Sequence, residues 1–269
     1  MELNKIYCED CLNTMQRMED NFIDLTVTSP PYDNLRTYND NIDETWGEDV
    51  WKHIIKELYR VTKEGGVVVW VVGDATINGS ETGVSFQQAL WAKECGFNLH
   101  DTMIYRKKNA LPINSGNRFN PEFEYMFVFS KAAPKTFNEI RVLKKWNDNR
   151  SHKNYSKSKN GVKKIGEVSD KKDKLVGNIF EYKVGGGHVT TDSISYNHPA
   201  IYPENLVKDH IKTWSNEGDL VYDPFMGSGT TAKMAHLLKR DWIGSELSQE
   251  YVDLAYKRLE KYLTQGMLF

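Results

Sequence analysis

Ser29-Pro30-Pro31-Tyr32 gathers a hydroxyl, a main-chain carbonyl stiffened by two proline rings, and an aromatic face into one tetrapeptide. Ser29 and the Pro30 carbonyl both accept hydrogen bonds. Together they can take the hydrogens of an –NH2 group on a planar base while Tyr32 stacks on the ring. An exocyclic amine is a poor nucleophile because its lone pair is conjugated into the ring. Hydrogen bonds that pull it toward tetrahedral geometry free that pair for in-line attack on an electrophilic methyl. The protein then supplies orientation and fixed dipoles, without a covalent intermediate. Taken alone, Pro-Pro-Tyr reads as a rigid turn.

A second run, Asp223-Pro224-Phe225-Met226-Gly227-Ser228-Gly229-Thr230-Thr231, follows a short apolar stretch and opens a helical pattern. Its glycines let backbone approach a ligand closely, and a helix N-terminus offers free N–H groups to an anion. Glu246 stands seventeen residues beyond Gly229, where a carboxylate can accept from both hydroxyls of a ribose. The layout also fits the G-x-G-x-x-A of a dinucleotide site, with Ala232 third, and no lysine follows as a P-loop requires. An ordinary tight turn would show the same glycines; the spacing to Glu246 favours a nucleoside cofactor.

Both runs need strand ends to hold them. Phe22 to Thr28 is apolar and β-branched and leads straight into the prolines, which end strand pairing. Val50 to Thr62 carries apolar residues at helical spacing, Gly65-Gly66 punctuate it, and Val67 to Val72 is the most strand-like run in the chain. Val84 to Cys95 predicts a helix; Leu99 to Arg106 and Tyr125 to Phe129 predict late strands. Near the end, Leu220 to Tyr222 and Trp242 to Gly244 read as strands, Thr230 to Lys239 and Gln249 to Leu263 as helices. Alternation of this kind implies a parallel sheet covered on both faces, with ligands beyond the strand C-termini. Asp33 to Glu48, with Arg36, Tyr38 and Trp46, reads as a lip over the first loop or as a plain surface loop.

Residues 131–197 break the alternation: they are polar, basic and periodic in neither sense. Lys131 to Lys174 holds 14 basic and 5 acidic residues, a net +9 that leaves −11 for the remainder of a chain totalling −2. A basic region on an acidic body suits a phosphate backbone, or is a solvated lysine-rich loop. With 269 residues, 39% hydrophobic and 12% aromatic, the chain can bury one sizeable core. The first twenty residues show no secretory signal, and no apolar run approaches the roughly 18–20 residues of a membrane span. Three cysteines point to a reducing cytoplasm. Cys8-x-x-Cys11 lacks the further partners a structural zinc needs, so burial is expected and no metal.

Thr28-Ser29-Pro30-Pro31-Tyr32 together with Asp223 to Thr231 closely resembles the amino-group DNA methyltransferases of bacteria, archaea and their phages. The order, catalytic loop first and cofactor loop last with a recognition region between, is similar to the permuted β group. Glu9-Asp10-Cys11-Leu12 resembles the family's Gly-Asp-Cys beside the cofactor adenine, with Glu9 departing from glycine. Trp242 to Glu246 resembles its ribose-binding strand end, His198-Pro199-Ala200 with Tyr202 to Leu206 its approach to the methionine-side pocket, and Pro121 to Tyr125 with Val128 to Lys131 its later strands.

The resemblance implies a doubly wound, mostly parallel Rossmann-like α/β methyltransferase sheet. Residues 1–130 would form the catalytic half, 131–197 a target-recognition insert and 198–269 the S-adenosylmethionine-binding half. It implies catalysis by Ser29, Pro30, Pro31 and Tyr32, and S-adenosylmethionine held by Asp10, Cys11, Asp223, Phe225, Gly227, Ser228, Gly229, Thr230 and Glu246. Double-stranded DNA is the expected partner, with one base extruded into the pocket; a homodimer and a cognate restriction endonuclease fit the family. Ser29 in the first position resembles the cytosine-N4 branch, and adenine N6 remains the alternative. Tyr7, Asp10 and Glu94 precede the three cysteines, so the Pro-Cys nucleophile of cytosine-C5 enzymes is missing. Rival readings are a non-catalytic DNA-binding protein, an oxidoreductase on the same glycine turn, and an RNA or protein-glutamine methyltransferase. A cytoplasmic, nucleoid-associated enzyme is expected.

Overall fold

Val67 to Val72 is apolar at every position, so a strand built from it must be covered on both faces. In the computed structural model that run is fully buried within β3 (Thr62–Val72), inside an eight-stranded sheet. The structure describes residues 1–31, 46–110, 112, 116–144, 153–158, 161–167, 172–185 and 187–263. The other sheet strands are β1 (Lys5–Cys8), β2 (Ile23–Thr28), β4 (Asn98–Lys107), β5 (Phe123–Ser130), β6 (Ile179–Tyr182), β7 (Leu220–Asp223) and β8 (Asp241–Glu246). Their order across the sheet is β1-β8-β7-β2-β3-β5-β4-β6. Every pairing is parallel except those of β5 with β3 and β4. Among the described residues between β4 and β5 there is no helix, and strands joined without a crossover pair antiparallel.

Among the described residues three helices cover each face, as a doubly wound sheet requires. α1 (Cys11–Gln16), α2 (Glu48–Val61) and α3 (Val84–Glu94) pack on one side with Trp70, Phe127 and Phe129. α4 (Glu204–Trp214), α5 (Thr230–Leu237) and α6 (Gln249–Leu263) pack on the other with Val69, Val71 and Met126. α2 shows why the sequence folds this way. Trp51, Ile54, Ile55, Leu58 and Val61 recur at helical spacing and are all buried, and Glu48 and Asp49 oppose the helix dipole in its first turn.

The chain after β7 continues to β8 on one side, while the chain after β2 continues to β3 on the other. The β7–β2 junction is therefore the switch point of the sheet, where loops diverge and leave a crevice.

Residues 139–177 form a separate unit that lies within the polar, basic span 131–197. It is built of two antiparallel ribbons, Arg141–Leu143 with Asp173–Leu175 and Lys153–Ser158 with Gly161–Glu167. Those strands escaped detection because their few apolar residues, Val142, Leu143, Tyr155, Val162, Ile165 and Leu175, do not recur at a period of two. At the margins the body claims the rest. Lys131 donates to Asn21 Oδ1 at 2.9 Å and the Tyr59 carbonyl at 3.0 Å, so this lysine serves the core, not phosphate. Residues 179–182 became β6, the sheet's outer edge.

Asp24 in β2 is 4% exposed and receives Lys63 Nζ at 2.6 Å, Lys135 Nζ at 2.8 Å and Leu220 N at 3.0 Å. Burial pushes its carboxyl up, but the hydrogen bonds from Lys135 and Lys63 outweigh that and hold it below the usual range. Its stabilisation is thus complete above the ordinary carboxylate value of about 3.9 and is lost as pH falls through the lower folded value. Asp24→Asn should lower the unfolding free energy by about 1–3 kcal/mol at pH 7 in urea titrations, with the gap to wild type closing below about pH 3.

Candidate active site

The carboxyl of Asp223, at the C-terminal end of β7, is fully buried and receives four donors. They are Thr28 Oγ1 at 2.6 Å, Thr231 Oγ1 at 2.6 Å, Phe225 N at 3.0 Å and Tyr202 OH at 3.2 Å. Burial raises its pKa, and the four hydrogen bonds work against that rise. Thr28 is the last residue of β2, so the Thr28–Asp223 bond joins the strand end that carries Ser29 to the strand end that carries the glycine turn. Asp223 lies under the site as its clamp and does not line the cavity.

Above the clamp is a cavity of about 780 Å³. Of the residues expected to do chemistry, Ser29, Pro30 and Pro31 line it, as do Asp10, Cys11, Phe225, Gly227, Ser228, Thr230 and Glu246. Tyr32 falls outside the described residues, as do Arg36 and Tyr38 of the expected lip. Trp46 is described: it lines the cavity and meets Phe225 edge-on at 5.5 Å between ring centroids.

Local geometry explains the residue types. Gly227 has φ +49°, and a Cβ there would stand 2.9 Å from His198 Nε2. Gly229 has φ +78°, and its Cβ would stand 2.9 Å from the Cβ of Ala255 on α6. Gly229 thus closes the turn against the helix and is not itself in the cavity wall. Glu246 Oε2 accepts from Gly227 N at 2.9 Å and Oε1 from Ser248 N at 3.0 Å, so each oxygen keeps a further lone pair. Burial pushes its carboxyl up. Asp10 caps α1 by accepting from Leu12 N at 2.7 Å. Cys11 is buried and burial pushes its thiol well up, which suits a packing residue and not a nucleophile.

Composition did not reveal the charge network beside this loop. Lys233 on α5 and Arg258 on α6 are each 1% exposed. Lys233 Nζ reaches Asp192 Oδ2 at 2.6 Å and Glu204 Oε1 at 2.7 Å; Arg258 reaches the same two oxygens at 3.1 and 2.6 Å. Arg258 Nη1 also donates to the Ser228 carbonyl and to Thr230 Oγ1, both at 2.9 Å. The arginine therefore holds the glycine loop in place from behind. The available signal was Lys233 set between Ala232 and Met234, a charge inside an apolar helix face.

Burial pushes the Asp192 and Glu204 carboxyls up, but hydrogen bonds led by Lys233 outweigh it and leave both below the usual range. The stability they contribute is complete above about pH 4.3 and is lost as pH falls through the folded values. Arg258→Met leaves Lys233 as the buried cation shared by the two carboxylates and takes the donors from the Ser228 carbonyl and Thr230, and should cost about 1–3 kcal/mol at neutral pH. Urea denaturation would show it, with a smaller difference at pH 3.

Residues 23–257 match the family described as N6/N4 DNA methylase. The chain is 53% identical over 252 residues to the orphan methyltransferase M.BamHII of Bacillus amyloliquefaciens, covering 90% of each chain. Among solved structures it resembles the cytosine-N4-specific PvuII DNA methyltransferase, with a TM-score of 0.70 at 22% identity, covering 97% of this chain and 89% of that one. It also resembles M1.HpyAVI in complex with SAM, with a TM-score of 0.59 at 23% identity over 95% and 98% of the two chains. A clamped Ser-Pro-Pro loop, a glycine turn beside it and these kinships agree: the chain belongs to the N6/N4 DNA methylase family, enzymes that transfer a methyl group from S-adenosylmethionine to the amino group of adenine or cytosine in DNA.

Proposed function

We propose that this enzyme methylates the N4 amino group of a cytosine swung out of duplex DNA. The observation that carries the proposal is the Thr28–Asp223 bond, which holds the Ser29 loop and the glycine turn at one cavity. A cavity of about 780 Å³ falls within the roughly 300–1,000 Å³ of small-molecule sites. The residues fit S-adenosylmethionine: Glu246 has acceptors left for a ribose, and Gly227, where a Cβ would run into the His198 ring, lets the turn and His198 share the cavity wall. When bound, S-adenosylmethionine supplies an electrophilic methyl on a sulfonium.

The chain's residues do the rest. Ser29 Oγ and the Pro30 carbonyl accept the amine hydrogens and turn the nitrogen lone pair toward the methyl, while the proline rings keep both acceptors fixed. Ring stacking falls to Tyr32. The amine of a paired base faces its partner and its neighbours stack above and below it, so it reaches such a pocket only after extrusion. Ser29 as first residue of the loop supports cytosine N4 over adenine N6. The unit 139–177 carries +7 and would bind the phosphate backbone. M.BamHII is named an orphan methyltransferase, and we extend that standing to this chain, as an enzyme without a cognate endonuclease.

Mass analysis of nucleosides from enzyme-treated duplex DNA should yield N4-methylcytosine. N6-methyladenine in its place would move the target base, and neither product would defeat the proposal. Ser29→Ala should lower kcat by about 10²–10³-fold with cofactor affinity retained. Glu246→Gln should instead weaken S-adenosylmethionine binding by about 10-fold or more in calorimetry.

A further inference from the structure

Five charged side chains line the cavity among the described residues, and only Lys107 is a cation. Glu9, Asp10 and Glu246 lie at the ends of β1 and β8, beside the glycine turn. Lys107 ends β4, and Glu124 opens β5. The Lys107 Nζ stands 2.7 Å from Glu124 Oε1, with the two side chains 25% and 12% exposed. β4 runs parallel to β3 through their shared antiparallel neighbour β5, so both residues sit at the sheet edge that carries Ser29. Only β3 separates β2 from β5, about 10 Å of sheet, which leaves the breadth of a base between Ser29 and the ion pair.

The inference rests on the amino-group transfer proposed above. Once the amine of a base is given to Ser29, its remaining ring edge offers acceptors alone: N3 and O2 in cytosine, N1, N3 and N7 in adenine. A carboxylate finds no donor there, whereas an ammonium finds acceptors for its own hydrogens. We propose that Lys107 donates to a ring acceptor of the extruded base and that Glu124 is its positioning residue. Glu124 has a second effect. Positive charge grows on the base as its amine takes a methyl, and a bare ammonium would oppose it; a paired one binds the base with little net charge.

Mapping methylated positions in treated plasmid gives the recognition sequence, from which duplexes with an intact or an abasic target position can be made. Lys107→Met should lower kcat/KM for DNA by about 10–100-fold, the loss expected of a hydrogen bond from a charged group. Lys107→Gln, which keeps a donor, should recover part of it. S-adenosylmethionine affinity should stay within about twofold of wild type. The binding deficit of Lys107→Met, measured with the S-adenosylhomocysteine-loaded enzyme, should vanish on the abasic duplex. Glu124→Gln should lower kcat with little change in KM for DNA, and Glu124→Asp should restore part of it. Unchanged kcat/KM in Lys107→Met overturns the assignment. So does a loss of S-adenosylmethionine affinity, which gives the lysine to the cofactor carboxylate, or a deficit that persists on the abasic duplex, which gives it to a phosphate. If wild type methylates no DNA at all, it is the underlying transfer that fails.

Discussion

A carboxylate removed from water needs every lone pair met, and Asp223 meets that demand with donors from three separate parts of the chain. Thr28 comes from the end of β2, Tyr202 from the segment ahead of α4, and Phe225 N and Thr231 from the glycine turn itself. The parallel ladder between β2 and β7 sets Thr26 against Tyr222, so Thr28 stands one residue beyond the level of Asp223 and its hydroxyl reaches the carboxylate diagonally, at 2.6 Å. A slip of one residue would send Thr28 to the opposite face and leave the carboxylate short of a donor. Strand register thus fixes how the first loop stands relative to the second.

The ion network behind the turn extends the same logic. Two cations and two carboxylates are buried together, and such groups seldom stabilise a fold more than apolar residues of equal volume would. What they do is forbid alternatives. Arg258 can satisfy the Ser228 carbonyl and Thr230 only if α6, the turn and the segment around Asp192 all stand in their observed places. The loop that must present its backbone to a cofactor is therefore held by donors whose loss would strand charge in the core. Gly229 packed on Ala255 adds a steric limit to the electrostatic one.

Around the cavity, chemistry is divided by position along the sheet. Ends of β1, β7 and β8 bring carboxylates and open backbone to one side, and the ends of β4 and β5 bring Lys107, the cation among the described lining residues, and its partner Glu124 to the other. Ser29 to Pro31 lie between them. A cationic sulfonium is welcome beside carboxylates, and an acceptor-rich base edge is welcome beside an ammonium. The antiparallel β5 makes this layout possible, because reversing that strand lifts Glu124, near its N-terminal end, to the edge where the parallel strands end.

The sequence by itself determined the alternation of strands and helices and where the two motif loops fall, because period and proline-glycine chemistry are local properties. Val67 to Val72, the α2 pattern and the span of α6 were all legible in this way. The bonding of Lys131 and Lys135 was not, since both read as part of a basic stretch until their partners Asn21 and Asp24 are seen. Nor were the four donors gathered on Asp223 or the packing of Gly229 on Ala255. Tertiary structure alone decided those, along with the joining of Lys233, Arg258, Asp192 and Glu204, and of Lys107 with Glu124. Each depends on groups far apart in the chain meeting where solvent is excluded, and no local pattern encodes a partner that only strand order brings near.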